Sequence, residues 1–343
     1  MSSKHPVLSG LRRYWLLAVA ALLVLIALLL ISAWRVLFMA MPLSEETIFV
    51  VEPGSSLSRI ASRLEAQGHL LSALPMVALA RWRGVSAAIQ AGEYSLSPGM
   101  TPAQLLNKMV SGEQVQHRIT LVEGWSFQQA LDALWQQEQI QARLRGMDRA
   151  EIAAAMGLKV QDPEGMLFPD TYFYTDGSSD LELLQRAHSR LLKVLDRAWN
   201  SRAAALPLQS PYEALVLASI IEKESGDNSE RGHIAGVFIR RLELGMRLQS
   251  DPTVIYGVGD SFAGDLTSEH LRTTTAYNTY RVGGLPPTPI ALAGREAIEA
   301  SLNPLPSDYL YFVSRGDGSH VFSSSLDEHN AAVNRFQRRQ EGQ

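Results

Sequence analysis

The chain contains no cysteine. Disulfides, thiolate zinc sites and thiol nucleophiles are excluded on that ground, while the compartment stays open. Long runs of one charge are also missing: 31 basic residues face 35 acidic ones, for a net charge of −4 over 343 residues. Such a balance leaves no electrostatic footprint for general nucleic-acid binding. No H-E-x-x-H pair occurs, and the eight histidines are scattered, so metal-dependent hydrolysis has no support. Phosphate-loop and dinucleotide fingerprints are absent as well, and no cofactor or metal is expected. Ser225, His233 and Asp251 could be assembled into a hydrolase triad on paper. The G-x-S-x-G elbow is absent, however, and such triples arise by chance in a chain this long.

Against the ordinary composition, 46% hydrophobic and 19% charged, one stretch stands out. From Trp15 to Trp34 there are twenty residues without a charge, about the length that spans a bilayer core. Lys4, Arg12 and Arg13 precede it, and no acid occurs before Glu45. The positive-inside rule then puts the N-terminus in the cytoplasm and everything after about residue 40 across the membrane. The apolar run is longer than the core of a signal peptide, and no small-residue cleavage site follows it. Residues 1–40 are expected to form a retained anchor in the inner (cytoplasmic) membrane, with the rest of the chain periplasmic.

Beyond the anchor, one pattern occurs three times. A strand-like segment runs into a Gly turn, then a Ser/Thr cap and an amphipathic helix: Thr47–Val51 into Leu57–Leu64, Tyr94–Leu96 into Leu105–Met109, and Arg118–Val122 into Phe127–Leu134. This points to an α+β class assembled from small modules, not to one continuous sheet. Residues 45–113 have the size and pattern of a LysM-like module, either a glycan-binding unit or a structural spacer. Residues 114–206 form a mostly helical connecting part, with a helix from Asp180 to Trp199. Within it, Glu164–Tyr174 is dense in aromatics; it could line a sugar site or anchor a loop on the core. Residues 207–343 form the catalytic domain, ending in a helix from Leu326 with a basic tail. The stretch Met246–Gly257 reads as extended.

The chemistry converges on one helix. Ser210 serves as its cap, Pro211 opens the first turn, and Glu213 stands three residues past the cap. A solid apolar run follows, and Gly226 is available to stop it. Two acids arrive at its end. At about 100° per residue, Glu224 continues the stripe of Leu217, Ile220 and Ile221, whereas Glu222 points roughly 160° away. An acid on an apolar stripe is partly desolvated and can hold a proton at neutral pH, as a general acid must. Replacing Glu224 by Gln is expected to abolish activity without unfolding, with Glu222→Gln as the control. Polar and aromatic segments further on supply Gln249, Asp251, Tyr277, Asn278 and Tyr280 for a surrounding cleft. Asp251 is also a plain turn-former, since it precedes Pro252.

Three groups of residues then carry a resemblance. Ile220-Ile221-Glu222-Lys223-Glu224-Ser225, Arg247 through Gly257, and Thr275–Tyr280 with Gly284-Leu285-Pro286-Pro287 closely resemble the YceG-like endolytic murein transglycosylases. Glu164 through Tyr172 is similar to the same family, as is the layout of anchor, LysM-like module and catalytic domain. The Glu224-Ser225 pair also looks like the catalytic Glu-Ser of soluble lytic transglycosylases. The resemblance implies cleavage of the β-1,4 bond between N-acetylmuramic acid and N-acetylglucosamine, leaving a 1,6-anhydro end. It implies Glu224 as catalytic residue, with Ser225, Gln249, Asp251, Tyr277, Asn278 and Tyr280 contacting peptidoglycan strands. A partnership with glycan-polymerising synthases is implied by the family alone. Two other readings stay open: a non-catalytic peptidoglycan-binding scaffold, and a hydrolytic muramidase on the same site.

Overall fold

The computed structural model describes residues 6–336, with side chains from residue 12 onward. Lys4 and the basic tail beyond Phe336 lie outside the described residues. The chain divides into two units, Met1–His117 and Arg118–Gln343.

In the first unit, α1 (Pro6–Phe38) carries the apolar run. From Arg12 to Phe38 it is long and apolar enough to cross a membrane, and its most apolar stretch is not buried against protein. The end of the helix behaves differently. Leu37, and Met41 just past it, are buried in the core of the unit, and Met41 N–H donates to the Met100 carbonyl at 2.7 Å. Strands β1 (Thr47–Val51) and β2 (Gly92–Leu96) pair antiparallel, from Thr47 opposite Leu96 to Val51 opposite Gly92. Phe49 and Val51 turn inward while Ile48 and Val50 stay exposed, the period-two pattern of a half-buried strand. Between the strands lie α2 (Leu57–Ala66) and α3 (Leu74–Trp82), and α4 (Pro102–Ser111) follows. The expected caps are present: Ser56 accepts from Arg59 N–H, Thr101 from Gln104 N–H, and Gly112 ends α4 at φ +74°. Helix α3 has no such local signal, because its cap position is Ala73 and makes no side-chain bond.

Strand β3 (His117–Thr120) begins on the last residue of the first unit and runs into the second, followed by α5 (Phe127–Trp135) and α6 (Arg149–Met156); β4 (Thr171–Tyr174) pairs with β3. Then come α7 (Asp180–Asn200), α8 (Pro211–Glu224), α9 (Arg231–Glu243), α10 (Asp251–Val258), α11 (Ser268–Arg272) and α12 (Arg295–Leu302). A hairpin of β5 (Tyr311–Ser314) and β6 (His320–Ser323) precedes α13 (Leu326–Phe336). The architecture is mixed α+β. Helix α8 is its axis: every residue from Ala214 to Ile221 is buried, and α7, α9, α10 and α12 all pack on it. Burial on all faces is what its uninterrupted apolar run demands. The Ser219 hydroxyl, buried within it, accepts from Ile290 N–H at 3.0 Å and so pins the Gly/Pro-rich segment to the helix.

Two local expectations are corrected. The stretch after Ser250 is not extended: residues 251–258 form α10. Its β-branched residues suggest a strand, but Pro252 sits in the first helical turn, where its missing N–H costs nothing, and Thr253 and Val254 are buried. Gly226 does not stop α8 through a left-handed turn; the chain leaves at Ser225 in an extended conformation, φ −137°. The Glu164–Tyr174 segment belongs to the core, with Glu164, Met166, Leu167 and Phe168 buried.

Candidate active site

Helix α8 delivers its acids in fixed directions. The Ser210 hydroxyl accepts from Glu213 N–H at 3.2 Å, and the Glu213 carboxylate accepts from Gln209 N–H at 2.7 Å, closing the helix's first turn. At the other end the two glutamates diverge. The Glu222 side chain is buried, with one oxygen 2.6 Å from Arg231 Nη2 and the other accepting from Gly294 N–H at 2.9 Å. Both oxygens are committed to the fold.

Glu224 retains a solvent-exposed edge. Its Oε1 accepts from the Ser250 hydroxyl at 2.5 Å, and among the described residues Oε2 carries no hydrogen bond. The surrounding protein displaces most of the water, and this burial pushes the carboxyl up to about 7; the Asp251 charge adds to the rise, while the Ser250 bond and Arg241 oppose it. Near neutrality the group is poised between acid and carboxylate, with one oxygen free to meet a ligand.

Ser250 is itself held. Its N–H donates to Thr279 Oγ1 at 2.9 Å, and Thr253 Oγ1 donates to the Ser250 carbonyl at 2.7 Å. Immediately before it, Gln249 adopts φ +53°, a left-handed conformation unusual for a residue with a side chain. The strain is held by Arg241, a buried residue on α9. Its Nη1 donates to the carbonyls of Arg247 (3.2 Å) and Leu248 (2.8 Å) and to Gln249 Oε1 (3.1 Å). Its Nε donates to the Leu310 carbonyl at 2.6 Å, and the guanidinium lies 5.0 Å from the Tyr311 ring centre. One cation therefore fixes the loop that presents Ser250 to Glu224.

The residues expected around Glu224 fall into two groups. Gln249 and Asp251 are exposed, and Tyr280 donates its hydroxyl to Asp251 Oδ1 at 2.7 Å. Burial and the Asp251 charge raise the Tyr280 phenol well above its ordinary range, so it stays a donor. These side chains are accessible and adjoin the Ser250 loop. Asn278, by contrast, is fully buried, and its amide donates to the carbonyls of His270, Leu271 and Thr273, which binds α11 to the site. The Ser225 hydroxyl is turned into the following loop, accepting from Asp227 N–H at 3.0 Å. Tyr277 is half-buried, edge-to-face on Tyr256 with ring centres 4.8 Å apart, and bonded to Thr288. Beneath that pair, Glu164 accepts from Phe127 N–H, Arg149 and the Tyr256 hydroxyl.

Sequence reasoning missed Ser250, Thr279 and Arg241. The Ser250–Glu224 bond joins residues 26 apart, and no local pattern announces it. Ser-Asp-Pro is a helix-start signature, which was the available clue.

Comparison with known proteins places this geometry in context. A model of the YceG-like family matches residues 49–335. A Bacillus subtilis protein named endolytic murein transglycosylase is 32% identical over 311 residues, covering 85% of this chain and 86% of the relative. A Streptococcus pneumoniae protein of the same name is 28% identical over 318 residues; the chain spans 57% of that relative's length. Among solved structures, a YceG-like protein from Listeria monocytogenes matches with a TM-score of 0.54 and 31% identity, over 84% of this chain and 99% of that one.

Proposed function

The chain belongs to the YceG-like family, and from that membership we propose that it is a membrane-anchored endolytic lytic transglycosylase of peptidoglycan. It would cleave the N-acetylmuramic acid–β-1,4–N-acetylglucosamine bond within glycan strands and leave a 1,6-anhydro end. The observation that carries this reading is Glu224: a glutamate with a raised pKa, one oxygen held by Ser250 and the other free, in a chain whose relatives are named endolytic murein transglycosylase.

One carboxyl can serve twice. Protonated Glu224 gives its proton to the glycosidic oxygen as the C1–O bond breaks and the sugar gains oxocarbenium character. The carboxylate so formed takes the proton of the C6 hydroxyl while that oxygen closes on C1. Water is neither consumed nor released, and Glu224 ends protonated as it began. The Ser250 hydroxyl holds Oε1 still, so Oε2 is the oxygen that exchanges the proton. Asp251, bonded to Tyr280, lies close enough for its charge to raise Glu224 and would place negative charge beside a developing cation. Gln249 and Tyr280 are the accessible polar groups for strand hydroxyls and acetamides. Asn278, Ser225 and Tyr277 support the cleft from behind.

The β1–α2–α3–β2 arrangement of the first unit supports a LysM-like module that retains the strand. Helix α1 supports the anchor, and Arg12 and Arg13 ahead of its apolar run favour a cytoplasmic N-terminus and a catalytic part outside the inner membrane. Attachment there would keep the enzyme near newly made strands, trimming or terminating them beside the synthases that make them. The test is to incubate the full-length protein in detergent with purified glycan strands and identify the new ends by mass spectrometry. Anhydro ends support the proposal. Reducing ends would make the protein a hydrolytic muramidase, and uncut strands a binding scaffold.

A further inference from the structure

A basic groove lies on the outer face of α7. The cavity has a volume of about 600 Å³ and is lined by Tyr172, Arg186, Arg190, Lys193, Arg197 and Arg295, among others. Four of these cations come from one helical stripe on α7, at spacings of four, three and four residues, and the fifth opens α12. Like charges at such spacings destabilise a helix by a few tenths of a kcal/mol per pair. The local compensation is small. Arg190 Nε is 2.7 Å from Asp170, Arg295 reaches Glu299 at 3.8 Å, and Glu182 lines the groove. Lys193 and Arg197 form no ion pair among the described residues, and both are exposed. In a chain of net charge −4, five cations on one groove is a local reversal of sign.

The groove continues. A second cavity of about 500 Å³ shares Val194, Arg197 and Arg295 with it and reaches Asn228 and Ser229, in the loop by which the chain leaves Glu224. From Arg186 to Arg197 the stripe runs about 16 Å, with a cation roughly every helical turn. A concave path with spaced cations and an apolar floor at Tyr172 and Val194 suits an extended ligand carrying several carboxylates. It suits a flat lipid surface poorly.

We propose that this groove binds the carboxylates of the short peptides that substitute the glycan strand, so that peptide-bearing strands are held in preference to bare ones. This rests on peptidoglycan being the substrate. The experiment is a binding titration, with fluorescent strands and full-length protein in detergent, all variants carrying Glu224→Gln so that nothing is cut. Peptide-bearing strands are compared with strands stripped of peptide by an amidase. The unaltered groove is expected to bind the peptide-bearing strands several-fold more tightly. The double reversal Lys193→Glu with Arg197→Glu should lose about tenfold on those strands and nothing on stripped ones, as expected for two solvent-exposed charge pairs. Lys193→Gln with Arg197→Gln should fall between, which guards against a folding defect in the reversal. Equal affinity for both strand types, or an equal loss on both, overturns the groove's role. So does unchanged strand binding with weakened sedimentation on anionic vesicles, which would make the groove a membrane contact. Absence of any strand binding by the Glu224→Gln protein with its groove intact, together with no cleavage by the protein that keeps Glu224, would instead refute the substrate itself.

Discussion

Replacing Glu224 by Gln should make the protein more stable as well as inactive, and by an amount that depends on pH. The carboxyl has an ordinary value of 4.5 and is raised to about 7 by burial. A group whose pKa is higher in the folded state favours folding while it is protonated. That contribution is complete below about pH 4.5 and is lost as pH rises through 7, because the unfolded chain has already released the proton that the folded chain still holds. At 1.36 kcal/mol per unit, the difference amounts to roughly 3 kcal/mol at pH 8. Gln has the shape of the acid and no charge to desolvate, so Glu224→Gln recovers it. For a unit of this size, that is a rise of about 6–12 °C in melting temperature. The assay is thermal unfolding of both proteins across pH 4 to 8. The gap should be smallest at the acid end, widen through the interval between 4.5 and 7, and then level off. A gap that is constant with pH, or that narrows as pH rises, would refute the assignment of Glu224 as the desolvated acid.

Other expectations follow from the same contacts. Ser250→Ala removes a bond that favours the carboxylate, so the alkaline limb of the kcat/KM profile should move up by about one pH unit while the maximal rate falls. Arg241→Gln should lower kcat about a hundredfold with less effect on KM, because the loop carrying Gln249 and Ser250 loses its clamp; Arg241→Lys should not rescue it, since an ammonium cannot span the same carbonyls. Glu222→Gln is not a neutral control: it leaves the buried Arg231 with only the longer contact to Glu123 at 3.9 Å and should cost about 3 kcal/mol, read as a lowered melting temperature. Tyr280→Phe, assayed by strand cleavage, should lose about fivefold in kcat/KM through the missing bond to Asp251.

What could be read from the sequence was local. Ser56, Thr101, Ser126, Ser179 and Ser210 all cap helices with their side chains, because the bond reaches only three residues forward. Helical periodicity points to Glu224, but α8 is buried on all faces and burial raises Glu222 as well, so a stripe does not by itself tell the two acids apart; their partners do. Helix α3 lacks a capping side chain, and α10 is rich in β-branched residues, so local preference concealed the first and misdirected the second. The partners of Glu224 come from across the chain. Ser250 and Arg241 reach it only after α8, α9 and the 247–250 loop have packed, and no spacing rule encodes that. The periodicity that separated Glu224 from Glu222 could not show that Glu222 was held by Arg231 and Gly294, both beyond the helix.

The way α1 ends has a mechanical consequence. Leu37 and Met41 are embedded in the core of the first unit, and the Met41–Met100 hydrogen bond fastens the segment that leaves the helix. The β1–β2 module is therefore bolted to its helix and does not swing on a tether. Were α1 set in a bilayer as proposed, the module would be held at one height above the surface. A flexible linker between residues 39 and 46 would turn this fixed mount into a leash only if Leu37 were also made polar, because Leu37 belongs to α1 itself and sits in the module's core.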